Sequence, residues 1–349
     1  MKGTMKAIAK QKAAPGATLV EVPIPQIGNG ELLVQVRGAS ICGTDVHIYE
    51  WDEWAQSRIK PPLVTGHECC GHIVEIGPGV TGFAEGDLVS LESHIPCGLC
   101  AVCRTGLQHI CTNLKILGVD TPGVYADYVK IPAICAWKHD PKMPIEIATV
   151  FEPMGNAVYA SLCEPISGCS VAIMGCGPVG LFATMVCRAA GAGPIYAVDI
   201  DANRLEMARS FGAHETLDAK NGEEAIRRML AGTGGDGVDV VLEMSGAPSA
   251  IRTGFKVLRK GGRFTAFGLP SKPVEIDFNN DIIFKGARVI GINGREMFQT
   301  WYKMAGLVRS GTLDPRPVIT HTFALTEFDR AMTTMRSREG KVGKVMLIP

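Results

Sequence analysis

Three side chains near the start of the chain have the chemistry of a zinc ligand set. Cys42 supplies a thiol, His67 an imidazole and Glu68 a carboxylate, and proteins bind Zn²⁺ with all three groups. A zinc ion with three protein ligands keeps one position for a substrate oxygen, whose proton it acidifies. Alone, a cysteine after a strand is usually a small buried hydrophobe, and a His-Glu pair on a loop is usually solvated. The combination of the three predicts a catalytic metal centre.

A second cluster consists of four cysteines in one short segment. They follow the pattern C-x-x-C-x-x-C-x7-C and are Cys97, Cys100, Cys103 and Cys111. Four thiolates complete a closed tetrahedral zinc site, which has a structural function because no coordination position is open. Spacing alone leaves two alternatives, an iron–sulfur cluster with a similar C-x2-C-x2-C run and a pair of disulfides.

A glycine-rich turn marks a third chemical site. The segment 175–180 reads G-C-G-P-V-G, follows the apolar run 171–174 and precedes a helical stretch, and Asp199 ends the next predicted strand. This context predicts a dinucleotide site with the pyrophosphate at the helix N-terminus. Asp199 would accept from ribose hydroxyls and repel a 2′-phosphate, which favours NAD, although Arg204 could accommodate a phosphate. The predicted cofactor-binding residues are Gly175, Gly177, Val179, Gly180, Asp199, Arg204, Phe267, Gly268, Leu269, Ile292 and Asn293.

Two kinds of domain must position these residues. Residues 5–40 alternate apolar and polar side chains, with Pro and Gly between the runs, which predicts short strands. From residue 171 to 267 strands alternate with helical stretches, which predicts a doubly wound parallel sheet. The end of the chain returns to strand character. We therefore predict an α/β protein with a β-rich catalytic domain at 1–157 and 296–349 and an inserted dinucleotide-binding domain at 158–295.

Composition excludes several classes of function. Lys and Arg number 35 and Asp and Glu 35, without a basic stripe or an acidic tail, so neither nucleic acid nor a membrane surface is expected as a partner. The N-terminal residues have no apolar signal-peptide core. Twelve cysteines in a protein expected in the reducing cytoplasm favour metal binding over disulfides.

The segment 66–80 carries a longer pattern, G-H-E-x-x-G-x-x-x-x-x-G-x-x-V. It resembles the zinc-site signature of the zinc-containing medium-chain alcohol dehydrogenase superfamily. The resemblance implies a GroES-like catalytic domain, a Rossmann domain, a catalytic zinc first bound by Cys42, a structural zinc in the cysteine lobe, and a homotetramer. It further implies that Thr44 contacts the substrate oxygen and that His47 is the outer end of a proton relay.

Glu152 stands where typical alcohol dehydrogenases have a third ligand cysteine. The resemblance implies that it either binds zinc directly or lies just outside the metal and moves in during turnover. The alternative is a carboxylate near a helix N-terminus, favoured there by the helix dipole.

Three stretches, starting at Cys42, Phe151 and Gly294, narrow the resemblance to the L-threonine 3-dehydrogenase family. This implies NAD-dependent oxidation of L-threonine at C3 to 2-amino-3-oxobutyrate. The acidic, aromatic segment 48–54 either is a surface loop with aromatic anchors or recognises the substrate ammonium through charge and cation–π contact with Trp51. His94 is a further candidate on the substrate side, and Arg295 could bind the substrate carboxylate or NAD.

Two other functions remain open from the sequence. A polyol or 2,3-butanediol dehydrogenase would share the zinc, the NAD and Glu152, and the segment 48–54 distinguishes it. A non-catalytic zinc- and NAD-binding scaffold would keep the fold alone, but the intact set of Cys42, His67 and Glu68 argues against it.

Overall fold

Strands dominate the first part of the chain, as the alternation of apolar and polar residues predicts. The computed structural model describes residues 2–337 and 339–349. The elements up to residue 149 are β1 (Thr4–Lys10), β2 (Thr18–Pro23), β3 (Glu31–Ser40), α1 (Gly43–Glu50), α2 (Glu53–Arg58), β4 (Leu63–Val64), β5 (Glu68–Ile76), β6 (Leu88–Leu91), β7 (His94–Ile95), α3 (Ala101–Arg104), β8 (Lys115–Ile116), β9 (Tyr128–Pro132), β10 (Ala136–Lys138) and α4 (Ile145–Thr149), with 3-10 turns at Gln108–Ile110 and Ala133–Cys135.

Helices and parallel strands alternate in the following part. Its elements and those of the C-terminal segment are α5 (Phe151–Leu162), β11 (Val171–Met174), α6 (Pro178–Ala189), β12 (Ile195–Asp199), α7 (Ala202–Ser210), β13 (Glu215–Asp218), α8 (Gly222–Gly232), β14 (Val238–Glu243), α9 (Pro248–Val257), β15 (Leu258–Ala266), β16 (Arg288–Gly291), α10 (Gln299–Arg309), β17 (Ile319–Ala324), α11 (Phe328–Arg336) and β18 (Lys344–Ile348), with short helical turns at Ala219–Asn221, Phe278–Ile283, Arg316–Val318 and Leu325–Glu327.

The chain divides into two units. The first consists of Met1–Pro153, Ile319–Ser337 and Lys344–Pro349, and the second of Met154–Val318 and Arg338–Gly343. The predicted boundaries were 157/158 and 295/296. The second boundary lies later because α10 belongs to the second unit, where Trp301 is buried and the Lys303 ammonium lies 3.4 Å from the carbonyl of Leu162.

The main sheet of the first unit brings distant segments together. Its strand order is β10-β6-β5-β3-β18-β17, with β9 also paired to β3. In this sheet Ser40 stands opposite Glu68 on β5 and opposite Met346 on β18. The C-terminal strand therefore lies next to the strand that leads to Cys42. A separate three-stranded sheet, β2-β1-β4, and the hairpin β7-β8 complete the strands described in this unit.

The second unit contains the predicted doubly wound sheet. Its six parallel strands are ordered β13-β12-β11-β14-β15-β16, which is the order 3-2-1-4-5-6 of dinucleotide-binding sheets. The connections reverse direction between β11 and β14, and ligands bind such sheets at the carboxyl ends of the strands beside that point. An apolar core covers the sheet, where the rings of Phe255 and Phe264 stack 4.1 Å apart.

Among the described residues, no helix combines the length and the apolar composition that a membrane crossing requires.

Candidate active site and metal centres

Cys42, His67 and Glu68 converge in the first unit. Cys42 is the N-cap of α1, His67 directly precedes β5, and Glu68 is the first residue of that strand. One ligand atom from each residue lies within 4.8 Å of the other two. Zinc bound at about 2.0–2.3 Å from N, O and S donors needs ligand atoms about this close. The donor set and its spacing therefore fit a zinc ion.

Asp45 is a buried carboxylate that lies next to Cys42, Tyr125 and His67. Its Oδ2 accepts from the backbone N–H of Cys42 at 2.9 Å and from the hydroxyl of Tyr125 at 2.7 Å. Its Oδ1 lies 3.7 Å from Nδ1 of His67, and both residues are buried. At 3.7 Å the carboxylate is too far from this nitrogen for a hydrogen bond, so Asp45 acts on His67 through its negative charge.

Glu68 is held at both oxygens. The Ser40 hydroxyl donates to Oε2, and the Lys344 ammonium donates to Oε1 at 2.6 Å and to the carbonyl of Ile41 at 2.9 Å. Each carboxylate oxygen has a second lone pair, so these bonds leave Glu68 able to bind a cation.

The field at His67 favours positive charge. Burial by itself lowers the pKa of His67, but the charges of Asp45 and Cys42 outweigh burial and raise this pKa well above its usual value. A buried site that stabilises a proton in this way also attracts a metal cation.

Glu152 stands outside the group of three ligands. It lies in the first turn of α5 and is buried, and its Oε1 accepts from the Ser93 hydroxyl at 2.6 Å. Its negative charge nevertheless contributes to the raised pKa of His67. This placement agrees with a carboxylate near the metal and also with the favourable helix N-terminus.

Thr44 and His47 lie on α1, directly after Cys42. The Thr44 hydroxyl is 3.9 Å from the Cys42 sulfur. His47 is exposed, and its Nδ1 lies 2.5 Å from Oδ2 of Asp52. The other oxygen of Asp52 accepts from the Ala55 amide at 3.0 Å and so caps α2. Thr44 thus lies beside the half-buried Cys42, and His47, on the same helix, is exposed to solvent.

The segment 48–54 forms the end of one helix, a turn at 51–52 and the start of the next helix, so it is not the surface loop that was one of its two interpretations. Residues up to 50 end α1, Trp51 terminates it with φ 60°, and α2 begins at Glu53. The capping side chain of Asp52 is the physical reason, since it satisfies an N-terminal amide of the second helix. The Lys10 ammonium lies 4.9 Å from the centre of the Trp51 ring, and Glu50 pairs with Arg336 at 2.8 Å.

His94 and Arg295 are both buried and hydrogen-bonded. His94 is in β7, and its Nδ1 lies 2.9 Å from the carbonyl of His109, at the edge of the cysteine lobe. The guanidinium of Arg295 donates to Oδ1 of Asn156 at 2.9 Å within the second unit. These contacts give each side chain a packing role, and the substrate contact of each stays a prediction.

The four lobe cysteines form a second candidate centre. The Cys97 and Cys111 sulfurs are 3.4 Å apart, and those of Cys100 and Cys111 are 3.8 Å apart. Cys103 completes a group whose sulfurs lie within 4.8 Å of one another. All twelve cysteines are free thiols, so the disulfide alternative finds no support, and the arrangement fits the predicted tetrahedral zinc site.

Backbone amides in the lobe stabilise thiolate charge. Hydrogen bonds from the amides of Cys103 and Thr112 lower the pKa of Cys100 to about 5, and the amides of Leu99 and Cys100 lower that of Cys97. Burial raises the pKa of Cys103 to about 12. Because zinc binds thiolates, the amide-bonded sulfurs are prepared for metal binding.

The glycine turn has the geometry of a phosphate site. Gly175 has φ +106°, and a Cβ on Gly180 would lie 2.0 Å from the carbonyl oxygen of Gly175. Gly177 is the N-cap of α6, and a Cβ there would have no neighbour within 4 Å among the described atoms. Val179 is in the first turn of that helix. The backbone is therefore bare where a pyrophosphate would approach the helix N-terminus.

Asp199 ends β12 beside this turn. Its Oδ2 accepts from the Cys176 amide at 2.6 Å and its Oδ1 from the Asp201 amide at 2.9 Å. Asp199 and Arg204 both line a cavity of about 350 Å³, together with Gly175, Gly177 and Ser245.

The remaining predicted cofactor residues follow the outer strands of the same sheet. Phe267, Gly268 and Leu269 come directly after β15, and Ile292 and Asn293 come directly after β16. Since all strands are parallel, these segments share the carboxyl edge of the sheet with Gly175.

Sequence reasoning missed Asp45, Ser40, Tyr125 and Lys344. Asp45 had a local signal, because it is the third residue after Cys42 and its carboxylate caps the helix that Cys42 starts. Lys344 had none, because it lies 276 positions from Glu68.

Comparisons with known proteins agree with this architecture. A family model described as an alcohol dehydrogenase GroES-like domain matches residues 28–141, and one described as a zinc-binding dehydrogenase matches residues 178–310. The chain is 49% identical to an L-threonine 3-dehydrogenase of Bacillus licheniformis over 349 residues, which is 100% of both proteins.

Solved structures share the fold over nearly the whole chain. A structure described as a short chain alcohol dehydrogenase of E. coli CFT073 complexed with NADH superposes with a TM-score of 0.90 at 26% identity and 99% coverage of both chains. A zinc-binding dehydrogenase of Sinorhizobium meliloti 1021 bound to NADP gives 0.89 at 28% identity, with 99% and 100% coverage. The predicted fold and resemblance are confirmed: the chain belongs to the L-threonine 3-dehydrogenase family, within the zinc-containing medium-chain alcohol dehydrogenase superfamily.

Proposed function

We propose that this protein oxidises the C3 hydroxyl of L-threonine to give 2-amino-3-oxobutyrate, with NAD reduced to NADH and zinc as the catalytic metal. The observation that carries the proposal is the cluster of half-buried Cys42 with buried His67 and Glu68, in a chain 49% identical over its full length to an L-threonine 3-dehydrogenase. A thiolate, an imidazole and a carboxylate at this spacing suit a catalytic zinc.

Cys42, His67 and Glu68 would hold the catalytic zinc, with Glu152 as a fourth ligand or just outside it. Cys97, Cys100, Cys103 and Cys111 would hold a structural zinc. When bound, the catalytic metal supplies Lewis acidity towards an alcohol oxygen, and the nicotinamide supplies the hydride acceptor.

Thr44 and His47 are the proposed inner and outer ends of a route for the hydroxyl proton, with the ribose hydroxyls of the cofactor between them. Thr44 stands beside the ligand sulfur at 3.9 Å, where its hydroxyl can accept a proton from a substrate oxygen and donate another. His47 is exposed and hydrogen-bonded to Asp52, so it can release the proton to water. The Asp45 carboxylate places negative charge 3.7 Å from Nδ1 of His67, which would support a metal cation bound by that ring.

Asp199 supports NAD as the cofactor. Its carboxylate lies at the strand end where a ribose would be read, and it would repel a 2′-phosphate. The structural relatives were solved with NADH in one case and NADP in the other, so the choice rests on this side chain. Arg204 lines the same cavity and can neutralise the pyrophosphate charge.

The substrate's charged groups require partners. Trp51, His94 and Arg295 remain the proposed contacts, with Arg295 as donor to a carboxylate of the substrate or the cofactor.

We also propose a homotetramer in the cytoplasm. The edge strand β16 leaves Val289 45% exposed, and Phe284 just before it is 70% exposed. An open apolar sheet edge of this kind is suited to pairing with a second copy. The twelve free thiols suit a reducing compartment.

A substrate panel tests the proposal. NADH formation is followed by absorbance with L-threonine, sorbitol and 2,3-butanediol, with and without a zinc chelator. We expect L-threonine to give the highest kcat/KM and the chelated enzyme to lose turnover. Diols that match or exceed threonine would replace the proposed substrate. Bound NAD without turnover of any alcohol would indicate a scaffold.

A further inference from the structure

Glu243 occupies the switch point of the parallel sheet. It is the last residue of β14, whose neighbour β11 ends just before the glycine turn at Gly175. Its side chain is 1% exposed. Ligands of doubly wound sheets bind beside this point, and the residues that follow Glu243, Met244 and Ser245, line the cavity that also contains Gly175.

The Glu243 carboxylate binds the loop that follows its own strand. Oε1 accepts from the Ser245 amide at 2.9 Å, from the Ser245 hydroxyl at 2.6 Å and from the Gly246 amide at 3.0 Å. Ser245 in turn lines the cofactor cavity. One carboxylate thus holds the turn at residues 245–246, which forms part of the cavity wall.

The same residue binds the loop that follows the adjacent strand β15. The Glu243 carbonyl accepts from the amides of Phe267 and Gly268 at 3.0 Å each, and a hydrogen bond from the Gly268 amide also reaches the carboxylate. The loops after β14 and β15 therefore share Glu243 as a common acceptor.

The loops at this point are packed without spare room. A Cβ on Gly268 would lie 2.1 Å from the Gly246 nitrogen and 2.7 Å from Oε2 of Glu243, and a Cβ on Gly175 would lie 2.8 Å from the Ser245 Cβ. A shift of the Ser245 loop would therefore change its distance from the glycine turn and with it the shape of the cavity that Gly175 and Ser245 both line.

The site requires an acceptor without hydrogens. Burial raises the pKa of Glu243, although the surrounding donors lower it. Burying a carboxylate costs stability unless hydrogen bonds compensate for the lost water, and the amides of Ser245, Gly246 and Gly268 provide them here. A glutamine would direct an N–H₂ group towards backbone donors and leave some of them unpaired.

We infer that Glu243 is a positioning residue for the cofactor: it holds the loops after β14 and β15 in the arrangement that shapes the cavity beside Gly175. The inference rests on the proposed NAD cofactor and is independent of the threonine assignment.

The test compares Glu243→Gln with a matched control on the same strand. Asp239→Asn alters another hydrogen-bonded carboxylate, which accepts from Ser170 and Arg259 at the opposite end of β14. NADH binding is measured by fluorescence titration without substrate. We expect the Kd of Glu243→Gln to rise about tenfold, the size of one lost or frustrated buried hydrogen bond, and that of Asp239→Asn to stay within about twofold.

Steady-state kinetics separate positioning from general damage. We expect the KM for NAD to rise with the Kd, while kcat at saturating NAD and the zinc content stay within about twofold of wild type. A lower Tm with unchanged Kd and KM would reduce Glu243 to a stabilising residue and overturn the inference.

A second variant keeps the test valid if Glu243→Gln does not fold. Ser245→Ala keeps Glu243 and removes the hydroxyl that donates to Oε1 and accepts from the Ala247 amide at 3.1 Å, and we expect a Kd about threefold higher. A wild-type Kd in Ser245→Ala would contradict the inference. A wild-type protein that does not bind NADH would instead reject the proposed cofactor.

Discussion

The Lys344 ammonium lies 2.6 Å from the Glu68 carboxylate, and both side chains are almost inaccessible to solvent. The pair exists because β18 joins β3 in the main sheet of the first unit and Glu68 stands opposite Ser40 on β3. Burial is the largest single influence and lowers the pKa of Lys344, but the charges of Glu68, Cys42 and Glu152 and the hydrogen bond to Glu68 together raise it above its usual value, so the lysine remains protonated. A segment near the C-terminus thereby fixes a proposed metal ligand.

Replacing the lysine should leave Glu68 as an uncompensated buried charge. We predict that Lys344→Met lowers the free energy of unfolding by about 3–5 kcal/mol, because breaking one partner of a buried ion pair has this cost. Urea unfolding of the metal-free proteins measures the effect. The double variant with Glu68→Gln should recover most of the loss, and a loss below about 1 kcal/mol in the single variant would show that the pair is unimportant.

Asp52 should support the relay through His47. Asp52→Asn keeps an acceptor for the α2 cap but removes the negative charge next to His47. We predict that kcat falls about threefold to tenfold. This loss is smaller than that for a buried general acid or base, because water can replace an exposed relay residue in part. His47→Gln should lower kcat at least as much, and the double variant should add little to it. Asp120→Asn is the control, because Asp120 also pairs with a side chain of the helix that Asp52 caps: it lies 2.7 Å from Arg58, the last residue of α2. Equal losses in the control would indicate that the charge on α2, not the relay, matters.

The cysteine lobe should bind a metal that stabilises the fold without serving the reaction. We predict that Cys103→Ser lowers the zinc content by one ion per chain and decreases Tm, because a closed four-thiolate site contributes folding energy. Cys169→Ser, outside both clusters, should keep the wild-type content. Metal analysis after gel filtration provides the measurement, and full zinc occupancy in Cys103→Ser would exclude this cysteine as a ligand.

His139 should make the protein sensitive to acid. Its Nε2 lies 2.6 Å from the Ser90 hydroxyl, its ring packs edge-on against Phe151, and burial lowers its pKa from 6.5 to about 4. The folded state therefore resists protonation. The contribution of neutral His139 to the free energy of unfolding is complete above pH 6.5 and is lost as the pH falls towards 4. Its upper limit is about 3 kcal/mol.

The free energy of unfolding of wild type and His139→Gln, measured by urea denaturation between pH 7.5 and 4.5, checks this value. His139→Gln should be less stable than wild type at neutral pH, and the difference should narrow on acidification. A constant difference between the two proteins across this range would exclude His139 as a source of the pH dependence.

Local patterns predicted much of the architecture. The strand-to-helix alternation after residue 171 indicates the parallel sheet because each helix or strand is specified by its own periodicity. The ligand types at Cys42, His67 and Glu68 similarly predict their convergence, through the resemblance of the 66–80 motif. The segment 48–54 was predicted less well, since its acidic and aromatic residues concealed the capping role of Asp52.

Contacts between distant segments could not be predicted in this way. The pairing of Lys344 with Glu68 depends on sheet order, which no local periodicity encodes. The role of Glu243 likewise depends on the adjacency of β11, β14 and β15, and a glutamate at a strand end has no distinctive sequence signal.

Zinc content and threonine oxidation in Cys42→Ser test the central claim most directly. Our account predicts two zinc ions per chain in the wild type, with NADH formed from NAD and L-threonine. In the folded variant it predicts one zinc ion and at least a 100-fold lower rate, the order of magnitude expected for loss of metal-assisted catalysis. A variant that keeps both zinc ions or the wild-type rate would contradict the assignment of Cys42, and with it the catalytic metal centre.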